Sequence, residues 1–346
     1  MPPCTGGTGI HGYEVHKMRE RARAREREYV YGLLATQCLR MVDELTPQTV
    51  LRLLDPQKHL DVHLSNGVRF DGRKLGEARP VDVSLGCTLN AAVFGSSTVH
   101  SRPSSGTSIG VGTKCVCNIS VQIGRPSLEK PHDGDLTFDV ALSPSLCDRY
   151  DTDYAARKKH DDAVDLEGFL RNIWCPSTGA AEPALDLAQL CIEPGRHAYR
   201  LVVSLLFLSL DGNMQDCAVQ AVSAALRNTS LPKAVLSGSS GPACAVSRET
   251  LTPLVVEGDV SARTFAVVTT GEYSDDSNRR TFLRDPTLAE EALVGGTVTV
   301  VTDLQASRAT GGLCLRGLFV DAVDNCGGEG VTEAGISQEL LATLLE

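Results

Sequence analysis

Aromatic side chains are scarce in this chain: they make up 5% of 346 residues, with a single Trp. Val, Leu and Ala must therefore fill the core. Long hydrophobic runs are also missing. The strongest, around Leu201–Leu210, is about half the ~20 residues that a membrane-spanning helix needs, so no membrane segment is expected. A positive charge excess is absent too, with 33 Lys+Arg against 43 Asp+Glu and a formal net charge of −10. That balance argues against non-specific coating of nucleic acid, which uses a broad basic surface, but it leaves room for a local basic channel. No apolar leader is visible, because residues 17–27 are arginine-rich, and a signal peptide is not expected. Cysteine is not lacking, but its 12 copies do not suggest a disulfide framework in a chain of this length. Cys38, Cys191, Cys217 and Cys314 sit in apolar runs, where a thiol is a small hydrophobe. Reduced cysteines and a cytosolic or nuclear compartment follow.

Several familiar chemical signatures are incomplete. Gly106–Lys114, GTSIGVGTK, lacks the Gly-Lys-Ser/Thr ending that places a lysine on a terminal phosphate. His59 and His63 are four apart, but no glutamate follows His59 and no third ligand is evident. Cys115 and Cys117 would share one side of a strand without a second ligand pair. There is no Gly-x-Ser-x-Gly elbow. No cofactor and no metal site are expected.

The chain is long enough for a full core, as one large domain with extensions. Residues 1–60 read as an N-terminal extension, partly disordered and partly helical. Within it, Lys17–Glu28 interleaves Arg and Glu at helical spacing. This is the pattern of a solvated ion-paired helix, with a localisation signal, an RNA-contacting arm or a partner-binding helix as sharper alternatives. Tyr29–Leu54 carries apolar residues at three- and four-residue steps, and Thr46-Pro47 begins a second short helix. Residues 61–304 form the main domain and 305–346 its C-terminal strand, loop and helix (Ser337–Leu345).

Strands are expected at Val81–Leu85, Cys115–Ile123, Leu136–Leu142, Leu254–Glu257, Thr264–Thr269, Gly296–Thr302 and Gly312–Leu318. Helices are expected over Val164–Ile173 and Asp216–Asn228. The Ser-, Thr- and Gly-rich stretch at 88–109 reads as an inserted loop, and LSGSSGP (Leu236–Pro242) as a connector. Strands and helices alternate without a βαβ rhythm, so the class is α+β with mixed sheets and packed helices.

Three segments carry the chemistry. The first is RFDGRKLGEARPVDVSLG, with Arg69, Asp71, Gly72, Arg73, Glu77 and Arg79. The second is LCIEPGRHAYRLVVSLLFLSLDGNMQDCAVQAVSAALRNTSLP, an apolar strand, a tight Asp-Gly-Asn turn, an alanine-rich helix and a Leu-Pro exit. The third is RDPTLAEEALVGGTVTVVTD, Arg284–Asp303. In this order they resemble the RNase PH superfamily, and more closely the RNase PH-like ring subunits of the eukaryotic RNA exosome. CIEPGR (Cys191–Arg196) and SPSLCDR (Ser143–Arg149) are similar to one branch of those subunits.

The resemblance implies the RNase PH fold (ribosomal protein S5 domain 2-like), and it puts the chemistry in question. Active members place Gly-Ser/Thr-Arg after the central strand, where loop amides and the arginine grip inorganic phosphate at a helix N-terminus. This chain has Asn213-Met214-Gln215 there. Losing such a charge-assisted grip costs roughly 2–4 kcal/mol of transition-state stabilisation, or ~30- to 1000-fold in rate. Active members also use two aspartates six residues apart. Here Asp285 is kept, with Glu291 at the second position, and Asp285-Pro286-Thr287 also reads simply as a turn.

The resemblance thus implies a non-catalytic subunit of a hetero-hexameric ring, with S1/KH-type cap proteins and RNA as partners. It would sit in the nucleus, including the nucleolus, and in the cytoplasm. An active phosphorolytic exoribonuclease, needing phosphate and a divalent metal, is the alternative; a partner-binding protein that has left RNA behind is a third reading. Arg149 and the cluster Arg157, Lys158, Lys159 are candidates for RNA contact, although the acids around them read equally as a solvated basic loop.

Overall fold

A computed structural model describes most of residues 54–322; it leaves out 104–110, 147–152, 177–182, 237–243, 271–278, a few single positions, and nearly all of 1–53 and 323–346. The chain divides into two compact units, 1–62 and 63–346. The helical expectations over 17–50 and 337–345 and the connector at 237–242 lie outside the described residues.

In chain order the elements are α1 (Pro56–Ser65), β1 (Val81–Leu85), β2 (Val93–Ser101), β3 (Thr113–Gly124), β4 (Asp135–Leu142) and α2 (Asp153–Trp174). Then come β5 (Cys191–Glu193), β6 (His197–Ser209), α3 (Met214–Arg227), β7 (Ser230–Leu236), β8 (Cys244–Pro253) and β9 (Val260–Thr270). The last are β10 (Arg279–Arg284), α4 (Leu288–Glu291), β11 (Gly296–Asp303), α5 (Leu304–Thr310) and β12 (Cys314–Ala322).

One sheet runs β1-β2-β3-β6-β4, with β5 on the end of β6. Its pairs are antiparallel except β4–β6, which is parallel. A second, antiparallel sheet runs β10-β9-β11-β12, and β7–β8 form a separate ribbon. The class is α+β with mixed sheets.

Strand β6 explains the core. Leu201, Val203, Leu205 and Phe207 alternate and are all buried, each contributing about 1.5–3 kcal/mol by leaving water. Helix α3 lies against β2, β3 and β9, and Ala218, Ala221 and Ala225 are completely buried along its inner face. Alanine at these steps lets the helix axis approach the sheet closely.

That close approach corrects the reading of 88–109. Val93–Ser101 is a central strand, not a loop. Its small residues are there because α3 presses on them. A Cβ on Gly95 would lie 2.0 Å from Thr229 Oγ1, and Ser97 Oγ donates to the Ala221 carbonyl at 2.7 Å. A Ser- and Gly-rich composition marks a crowded interface as readily as a loop.

Other expectations shift. Leu254–Glu257 is not a strand. The strand precedes it, and the Val255 amide is taken up by Gln189 Oε1 at 3.0 Å. Leu231-Pro232 is no exit but part of β7, where the Pro232 carbonyl accepts from the Tyr199 hydroxyl. Helix α2 begins at Asp153, ahead of the expected Val164, so positions 157–159 are helical and not a loop. Cys115, Cys117 and Cys217 are buried and unpaired, and burial pushes the Cys217 thiol up to about 12. Among the described residues no helix is long and apolar enough to cross a membrane.

Candidate functional site

The turn between β6 and α3 demands unusual backbone. Gly212 has φ +78°, and a Cβ there would lie 2.5 Å from the Pro286 carbonyl oxygen. Asn213 follows at φ 53°, a left-handed conformation that Asn tolerates better than most residues. It also caps α3, its Oδ1 accepting from the Asp216 amide at 3.4 Å.

Three arginines of the first motif converge on the third motif, more than 200 positions away in sequence. Arg79 donates to Asp285 through Nε (2.9 Å to Oδ2), Nη2 (2.8 Å to Oδ1) and its own backbone amide (2.8 Å to Oδ2). Its Nη1 donates to the Asp211 carbonyl oxygen at 2.7 Å. Arg73 reaches Asp285 Oδ2 at 3.1 Å and Asp71 Oδ2 at 2.6 Å. Arg69 holds Glu290 with Nε at 2.9 Å and with Nη2, and donates to the Asp285 carbonyl oxygen at 3.0 Å. All three arginines are buried.

Asp285 is therefore saturated, with Asn213 Nδ2 adding a further bond to Oδ1 at 2.7 Å. Burial alone would raise its pKa, but the hydrogen bonds and charge of Arg79 and the Asn213 amide outweigh it and hold the carboxyl down to about 2. Asp285 does form a turn, at φ 52° before α4. It is also the centre of a buried ion cluster.

Glu291 has a specific partner. Its Oε1 accepts the Asn213 backbone N–H at 2.6 Å. The amide at the head of α3, which could face an anion, is already occupied by a carboxylate of the chain itself. Gln215 is half-buried, and its side chain makes no hydrogen bond among the described residues.

The charge balance runs the same way. Three guanidinium groups, on Arg69, Arg73 and Arg79, face carboxylates on Asp71, Asp211, Asp285, Glu290 and Glu291, with Asp216 beside them. Burial raises the pKa of Asp211 and of Asp216. For Asp216 this outweighs the helix N-terminus, which would lower it. A phosphate entering here would meet no free cation among these three and an excess of acid.

The sequence-derived positions are thus partly united. Asn213, Asp285 and Glu291 form one bonded unit, with Gln215 two residues along α3. Positions 157–159 lie on α2, and Arg149 is outside the described residues. Sequence reasoning missed the Arg73 and Arg79 clamp on Asp285 and the linking role of Asn213. The available signal was a motif in which arginines and acids alternate without an apolar partner.

The family model described as 3′ exoribonuclease family, domain 1 (RNase PH) matches residues 77–232. The chain is 28% identical over 236 residues to the exosome complex component Rrp42 of Methanopyrus kandleri, covering 68% of this chain and 75% of that protein. It is 25% identical over 255 residues to the exosome complex component rrp45 of Schizosaccharomyces pombe, covering 70% and 76%. Among solved structures, an archaeal exosome core superposes with a TM-score of 0.56 at 20% identity, over 87% of this chain and 94% of that one. An Archaeoglobus fulgidus exosome with RNA bound to its active site gives 0.58 at 20% identity, over 84% and 91%. The chain has the RNase PH fold, and its residues 77–232 match the RNase PH family model.

Proposed function

We propose that this chain is a non-catalytic, RNase PH-fold subunit of an exosome ring. It builds subunit interfaces and part of the RNA channel, while associated nucleases degrade or process RNA 3′→5′. The similarity to Rrp42 and rrp45 supports the assembly. One observation carries the loss of catalysis: Arg73 and Arg79 are committed to Asp285, and the Asn213 amide to Glu291, where phosphate would have to bind. Gln215 supplies no cation in their place.

Within the ring subunits, CIEPGR and SPSLCDR favour the branch of exosome component eight. The basic positions Arg149, Arg157, Lys158 and Lys159 are the proposed RNA contacts, S1/KH-type proteins the proposed cap, and nucleus and cytoplasm the proposed locations. Affinity purification of the tagged chain from its own cells tests the assembly. Five further RNase PH-like proteins and cap proteins at equal stoichiometry are the expected result; recovery of the chain as a homo-oligomer would overturn it. Phosphate-dependent release of nucleoside diphosphates by the purified chain would overturn the loss of catalysis.

A further inference from the structure

The turn between β3 and β4 displays a leucine to solvent. Leu128 is 100% exposed, ahead of Leu54 at 80% among the large apolar side chains described. Before it, Arg125-Pro126-Ser127 carries no regular secondary structure. Proline fixes its own φ and biases the residue ahead of it to an extended backbone. The turn that follows is closed weakly, by the Lys130 amide on the Ser127 carbonyl oxygen at 3.2 Å and the Glu129 amide on Ser127 Oγ at 3.4 Å. Its far side is anchored, with the Gly195 amide on the Pro131 carbonyl oxygen at 2.8 Å and the Gly134 amide on the Leu187 carbonyl oxygen at 2.9 Å. A firm base with a loosely closed tip is a backbone that another protein can grip without opening the sheet.

The side chains of the tip have little to do within the fold. Arg125 and Lys130 are exposed, and neither side chain makes a hydrogen bond or ion pair among the described residues. Glu129 and Asp133 are the acids of the turn, and Asp135, just beyond it, is paired with Arg200 at 2.9 Å. Ser127 Oγ accepts one long bond and donates to no described residue. An exposed cation thus stands two residues before an accessible hydroxyl, and a fully exposed leucine one residue after it. Protein kinases read such charge patterns around the acceptor, with carboxylates for the cation. An apolar pocket for the next residue would take Leu128 out of water.

We infer that Ser127 is a phosphorylation site for a basic-directed serine/threonine kinase. The Ser127 Oγ bonds to the terminal phosphorus of a nucleoside triphosphate while the bond from that phosphorus to its bridging oxygen breaks. The nucleoside diphosphate leaves, and the hydroxyl proton passes to the kinase's catalytic carboxylate. Residues 125–133 carry two cations (Arg125, Lys130) and two acids (Glu129, Asp133), and the phosphate adds about −1.5 to −2 at neutral pH. A neutral turn becomes an anionic one. Neither the acceptor nor its flanking residues belong to the buried charge cluster, so the site stands whether or not the chain sits in a ring.

The test purifies the tagged full chain from its own cells after phosphatase inhibition. Mass spectrometry then measures phosphate on Ser127 against a heavy-isotope phosphopeptide of the same sequence, which fixes the detection limit. Phosphate on Ser127 is the expected result. Arg125→Gln removes the cation and keeps the acceptor, and it should lower the occupancy at least about tenfold, through loss of one charge-assisted contact. Its melting temperature should match that of the native chain, because Arg125 has no bonded partner among the described residues. Leu128→Asp should lower the occupancy as well. Recovery of the Ser127 peptide without phosphate would overturn the site and leave Leu128 to some other apolar contact. Phosphate at equal occupancy in the native and Arg125→Gln chains would overturn the basic-directed recognition.

Discussion

Asn213 and Asp285 hold each other in the left-handed backbone region. Asn213 Nδ2 donates to Asp285 Oδ1 at 2.7 Å, and the two have φ of 53° and 52°. They are the two non-glycine residues with positive φ among the described residues. The turn that ends β6 and the turn that ends β10 are thus locked together by one amide–carboxylate bond. The strain at each is stabilised by the other and by the arginines behind them.

Removing the carboxylate leaves buried cations behind. Asp285→Asn should destabilise the chain by about 3–5 kcal/mol, because Arg73 and Arg79 lose the charge that compensates their burial. Urea denaturation of the purified chain measures this, and a loss below about 1 kcal/mol would place the cluster among surface-like pairs.

The same carboxylate sets an acid limit. Its folded pKa of about 2 lies below the usual unfolded value near 3.9, so it contributes stability that is fully present above pH ~4. That contribution, about 2 kcal/mol, is lost as the pH falls from about 4 to about 2. Denaturant midpoints across this range should fall more steeply for the native chain than for Asp285→Asn.

Restoring an arginine should not restore chemistry. Gln215→Arg returns one cation to α3, but Glu291 still occupies the Asn213 amide and Asp285 still holds Arg73 and Arg79. Phosphate-dependent cleavage of a single-stranded RNA should stay at background. Activity in this single variant would mean that the charge cluster opens to phosphate.

Glu291 reaches the Asn213 amide with a side chain one methylene longer than aspartate. Glu291→Asp should release that contact, at a cost of about 1 kcal/mol, and speed hydrogen exchange at the Asn213 amide. Unchanged exchange would show that the bond does not protect it.

Gly95 has no room to grow. Gly95→Ala would put a Cβ 2.0 Å from Thr229 Oγ1 and 2.9 Å from the Ala225 carbonyl oxygen. A loss of about 1–3 kcal/mol in thermal or urea unfolding is expected from overpacking.

Much of this was legible in sequence because it is local. The alternation along β6, the Asp-Gly-Asn turn and the alanine face of α3 each follow from the spacing of a few neighbouring residues. The third motif also announced a turn; the structure adds a short helix after it, with Thr287 and Glu290 forming a capping box. Strand β2 was misread because small polar residues look alike whether solvent or a helix lies above them.

Sequence by itself determined the fold class, the order of the three motifs and the loss of an arginine at position 215. Tertiary structure decided what the remaining charges do. Arg69, Arg73 and Arg79 lie more than 200 positions from Asp285 and Glu290, so no local pattern could pair them. Once the two sheets bring them together in a buried space, an unpaired charge there would cost several kcal/mol. Every guanidinium of that cluster is consequently taken by an internal acid.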